Sequence, residues 1–181
     1  MNLVVGFAPF ILFTLLSRLS VDLALWAAFA SAFVVTIRDF VESPSLRLLD
    51  VGSLALFAAL ALARGFIDPA LPLAMVRLIA ETVLFVVLLA SMIAQKPFSI
   101  AYARLDPKEK HWPLALLQHV NKRVSWAWVL SFAAMAIADA LVSFYPPVPL
   151  WASITVSLLT LGAAITITLR YPTLAARRLT D

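Results

Sequence analysis

The chain contains no cysteine, which excludes a disulfide, a thiolate metal site, an iron–sulfur cluster and S-palmitoylation. Its four glycines form no Gly-rich phosphate loop, and no Ser-His-Asp spacing accompanies them, so neither nucleotide binding nor acyl transfer has a local signature. Histidine is almost as scarce: the two residues, His111 and His119, share one basic connector, and paired axial ligands for a haem inside a helix bundle are therefore lacking. A metal site built from that pair with Asp106 or Glu109 is outweighed by the bland reading, solvated side chains beside several lysines. Neither a metal nor a cofactor is expected, and no catalytic set presents itself. Charge, too, is sparse, at 13% of residues against about 25% in an ordinary soluble domain.

What replaces charge is hydrophobicity. At 63% apolar residues and a mean hydropathy of +0.98, the chain has more apolar surface than a water-soluble fold could hide. Five stretches, 21–38, 49–67, 74–94, 124–144 and 150–169, each reach the roughly 17–25 residues that a helix needs to cross a hydrocarbon core of about 30 Å. A sixth, 3–16, is short and interrupted by Pro9, so it reads as a short span, a re-entrant half-helix or an interfacial helix. The N-terminus has no basic region ahead of its apolar run and no convincing A-x-A site after it, so this segment is expected to remain uncleaved. The expected fold is all-α: a polytopic integral membrane bundle of five transmembrane helices plus the N-terminal segment, six if that segment spans, forming one membrane domain over residues 1–181.

The connectors carry turn punctuation at Ser43-Pro44, Asp68-Pro69, Leu71-Pro72 and the Pro-rich run 145–149. The exception is 95–123, a long polar connector with Lys96, Arg104, Lys108, Lys110, Lys122 and Arg123. Within it, 111–123 reads as a short helix lying on the inner membrane surface, with Pro113 in its first turn and Leu114, Leu117, Val120 and Val124 on one side. Of the fourteen Lys and Arg, all but Arg18, Arg64 and Arg77 fall on the side of this loop and of the C-terminus. Eleven against three places that loop and the C-terminus in the cytoplasm by the positive-inside rule. Such cations report orientation in a bilayer rather than a nucleic-acid partner.

Small residues recur every three or four positions, as in Ala24, Ala28, Ala32; Gly52, Ala55, Ala59, Ala63; Ala127, Ser131, Ala134, Ala138; and Ser153, Ser157, Thr160, Ala164, Thr168. Such stripes let helix backbones approach closely and favour packing faces over a pore lining. Five charged residues, Asp22, Arg64, Arg77, Glu81 and Asp139, fall on the outer side under this topology. Arg77 and Glu81, four apart, share a helix face. Glu81 and Asp139 are deep enough to require a partner or a wet cavity. Two roles compete: a charged cluster that fixes helix registry, which we favour, or a proton or cation relay. The uncharged run from Thr82 to Gln95 argues against a relay crossing the midplane.

The order and spacing of Phe7-Ala8-Pro9, Arg18, Lys96-Pro97-Phe98, Trp112, Trp128-Val129-Leu130-Ser131-Phe132 and Pro147 four before Trp151 resemble bacterial septation protein A, a small inner-membrane protein. The stretch Lys96 to Arg104, with Tyr102 inside it and Asn121 downstream, looks like a related group of bacterial membrane proteins. Ser125 stands where the septation family would have Asn. The resemblance implies a non-enzymatic protein of the bacterial cytoplasmic membrane, with its partners in the bilayer and among membrane proteins of the envelope or division machinery. The alternative is a small ion, proton or solute transporter using the charged cluster.

Overall fold

In the computed structural model, residues 2–42, 47–104, 112–145 and 147–177 are described, and among them no strand occurs. The helices are α1 (Asn2–Gly6), α2 (Ala8–Leu16), α3 (Val21–Glu42), α4 (Leu48–Leu62), α5 (Leu73–Ile93), α6 (Ser99–Ala103), α7 (Leu114–Phe144) and α8 (Leu150–Arg177). Five of them, α3, α4, α5, α7 and α8, are long and apolar enough to cross a membrane.

The packing falls into two groups: α5, α7 and α8 form one, α2, α3 and α4 the other. Inside lipid the hydrophobic effect does not press helices together, so close approach through small side chains matters more. On α3, Ala24, Ala28 and Ala32 are buried, as are Ser153, Ser157 and Ala164 on α8. The α4 stripe behaves otherwise. Ala55 and Ala59 face outward, while Ser53, Leu56, Phe57, Leu60 and Ala61 make that helix's packing face.

The N-terminal segment packs one face into the bundle and leaves the other, with Leu15, at the surface. It breaks at Phe7, and Pro9 sits within the first turn of α2, where a missing N–H costs little. Leu3, Phe7, Phe10 and Phe13 are all buried. Phe7 stacks on Trp128 with ring centroids 3.6 Å apart and planes within 8°. It also meets Phe98 at 5.9 Å and Phe132 at 5.7 Å. Phe10 meets Phe57 at 4.7 Å and Phe132 at 5.7 Å. This aromatic layer ties the two groups of helices together.

The surface helix expected at 111–123 does not exist as a separate element among the described residues. It is the first three turns of α7, one helix of 31 residues. Leu117, Val120, Val124, Trp128, Phe132, Met135 and Asp139 form an unbroken buried stripe at helical spacing, and no Gly or Pro between Leu114 and Phe144 interrupts it. The polar connector is shorter than expected, and part of it is the buried helix α6, where Ser99, Tyr102 and Ala103 are enclosed. Asp106, Lys108, Glu109, Lys110 and His111 lie outside the described residues.

Candidate functional site

The five charged residues Asp22, Arg64, Arg77, Glu81 and Asp139 divide into a buried group and a pair nearer the surface. In the buried group, Arg77 of α5 is fully enclosed. Its Nε donates to the Asp139 carboxylate of α7 at 3.0 and 3.3 Å, and its Nη2 to Glu81 at 3.4 Å and to Ser157 of α8 at 2.6 Å. Ser157 in turn donates to the Ser153 carbonyl at 3.0 Å. One guanidinium therefore joins three helices. The geometry makes Asp139 its primary partner, with Glu81, the partner suggested by sequence spacing, more distant. Arg77 Nη1 and Glu81 Oε2 are buried without a hydrogen-bond partner.

Asp22 and Arg64 stand apart from that group and pair with each other at 2.7 Å. Arg64 lies in a π-helical turn, Ala63–Ile67, that continues α4, and it also donates to the Leu71 carbonyl. The Asp22 side chain is 63% exposed, so this pair contributes little to stability.

At the α6 end of the bundle lies a second buried cluster. Arg47, just ahead of α4, pairs with Asp39 of α3 and lies 3.8 Å from Asp50 of its own helix. Its guanidinium covers the Tyr102 ring at 4.7 Å, a cation–π contact. The Tyr102 hydroxyl donates to Asp50 at 2.7 Å. Burial, reinforced by the Asp50 carboxylate, pushes the Tyr102 phenol well up from its ordinary range, so it remains a neutral donor. Gly6 makes room for this ring: a Cβ there would stand 3.0 Å from Tyr102 Cε1. In the sequence reading Arg47 counts only among the cations that set orientation, and Asp39 and Asp50 are not singled out. The spacing of Arg47 and Asp50, three apart, was the available signal.

Several residues of the family resemblance fall at or near this end. Phe98, Tyr102, Asn121 and Trp128 are buried, while Lys96 and Arg104 are exposed. Ser99 donates to the Asn121 carbonyl at 3.0 Å and shares a 2.9 Å hydrogen bond with Ser125. Trp128 donates to Thr168 of α8 at 2.9 Å. Asn121 is occupied with its own helix, at the Leu117 carbonyl.

Chemically, each cluster is an arginine between two carboxylates with a hydroxyl beside them, an arrangement suited to fixed ion pairing. The fold and these clusters define a class, the multi-pass α-helical membrane bundle braced by buried ion pairs. No family model, no curated protein and no solved structure matches the chain.

Proposed function

We propose that the protein is a non-enzymatic component of the bacterial cytoplasmic membrane, acting through other membrane proteins in cell division or envelope maintenance. The carrying observation is the aromatic layer of Phe7, Phe10, Phe57, Trp128 and Phe132 at the centre of the bundle. An ion path requires polar groups near the midplane, and this apolar layer offers none. The resemblance to septation protein A supplies the cellular setting, and the eleven-to-three distribution of Lys and Arg supports a cytoplasmic α6 end and C-terminus.

One feature favours the transporter reading, namely Glu81 Oε2 and Arg77 Nη1 buried without partners, since such groups invite water or a proton. Proteoliposomes holding the full chain under a pH gradient separate the two. The expected proton and cation flux equals that of empty vesicles, and affinity purification in mild detergent recovers envelope proteins in fixed stoichiometry. A flux that Glu81→Gln abolishes while the fold stays intact replaces this reading with the transporter.

A further inference from the structure

Beside Arg47 a cavity of about 860 Å³ opens between the end of α5, α6 and the starts of α4 and α7, within the size range of small-molecule sites. Its polar edge carries three cations, Arg47, Lys96 and Arg104, and none of its described lining residues is a carboxylate. Asp39 and Asp50 do not line it and are engaged with Arg47. Arg47 keeps Nε buried without a partner. The side chains of Lys96 and Arg104 make no hydrogen bond or ion pair among the described residues. From this edge an apolar wall descends along α5, with Val87, Ala90 and Ala94 on one helix face by their spacing. A cationic rim above an apolar groove in a membrane-spanning helix matches a molecule with an anionic head and a hydrocarbon tail.

We propose that this cavity binds one anionic phospholipid from the bilayer, its phosphate against Lys96, Arg104 and Arg47 and one acyl chain along Val87, Ala90 and Ala94. The proposal goes beyond the functional reading above and does not depend on which leaflet faces the cytoplasm. The test is native mass spectrometry of the full chain released from nanodiscs of phosphatidylglycerol or phosphatidylcholine with identical acyl chains. A phosphatidylglycerol adduct is expected to survive activation that strips phosphatidylcholine. The double substitution Lys96→Gln, Arg104→Gln should lower phosphatidylglycerol retention roughly thirtyfold, at about fivefold per basic residue. Both side chains are exposed and unpaired among the described residues, so the thermal midpoint in lipid-free detergent should not change. Equal retention of the two lipids, or a double variant that behaves as wild type, overturns the proposal. Phosphatidylglycerol displaced by millimolar inorganic phosphate with no dependence on its acyl chains also overturns it, in favour of a soluble phosphate ligand.

Discussion

The two buried clusters share a composition and differ in what they join. Arg77 sits between Asp139 and Glu81 with Ser157 as acceptor, and its partners come from α5, α7 and α8, one packed group of helices. Arg47 sits between Asp39 and Asp50, with Tyr102 donating to Asp50, and these come from α3, α4 and the short α6. Each group of spanning helices thus has its own ionic brace. The first is embedded: Arg77 and Asp139 have no exposed surface at all. The second lies where α4 begins and borders an open cavity, so its residues are nearer to water and headgroups. Equal inventories therefore predict unequal consequences, because a stranded charge costs most where water cannot reach it.

The largest expected effect comes from Asp139→Ala, which leaves Arg77 facing only the more distant Glu81. A loss of about 3–5 kcal/mol is expected for breaking a buried pair from one side, read as a lowered thermal midpoint in detergent. Arg77→Ala should be comparably damaging because it leaves Asp139 and Glu81 as unscreened neighbours. In double-mutant cycles the coupling of Arg77 with Asp139 should exceed its coupling with Glu81, following the shorter contact. Additive changes for Arg77 and Asp139 would dissolve the brace.

At the other cluster the corresponding losses should be smaller. Tyr102→Phe removes the hydrogen bond to Asp50 while keeping the ring under Arg47, and a loss of about 1.5–3 kcal/mol follows for a bond to a charged group. Gly6→Ala should strain the same place from the opposite side, by about 1–3 kcal/mol as overpacking, since its methyl would press on the Tyr102 ring. If Gly6→Ala loses its cost in a Tyr102→Leu background, the contact is the cause. If the cost persists there, the backbone of α1 is.

Much of this architecture was legible because length and hydropathy alone define a span. The five membrane helices follow from runs long enough to cross and from the prolines between them, and Arg77 with Glu81 follows from a spacing of four. The rest depends on tertiary approach. Nothing local shows that Asp139, 62 residues from Arg77, is the closer partner, or that Ser157 in a stripe of small residues accepts a hydrogen bond from a guanidinium. Arg47 enters the sequence reading only as one of the cations that set orientation, and its burial depends on tertiary approach. Asp39, Asp50 and the Tyr102 ring of α6 together enclose it. The surface helix failed for a related reason: an amphipathic stretch next to a span reads as interfacial until its stripe is seen to continue through Trp128 and Phe132 along the same helix. The aromatic layer was equally hidden, since Phe7, Phe98 and Trp128 come from three distant parts of the sequence.

The smallest effect concerns how helices end beside each cluster. At the Arg47 end, α5 stops with Gln95 at φ 55°, the one non-glycine residue with positive φ among those described. The Gln95 N–H donates to the Met92 carbonyl at 3.0 Å and the Lys96 N–H to the Ser91 carbonyl at 3.0 Å, the paired bonds of a Schellman ending. Glycine adopts that conformation without a Cβ penalty, so Gln95→Gly should raise stability by about 0.5–1 kcal/mol. At the opposite end of the bundle the π-helical turn of α4 closes on Asp68 at φ −139°, an ordinary conformation for any residue. There the Asp68 side chain also accepts from the Ala70 N–H at 3.1 Å. Asp68→Gly should therefore lower stability by roughly 0.5–1 kcal/mol, through lost hydrogen bonding and a more flexible unfolded chain. Opposite signs for the same substitution, measured as thermal midpoints in one detergent, would place backbone strain at the end that carries the cavity. A loss at both positions would mean instead that the Gln95 side chain contributes more than its backbone costs.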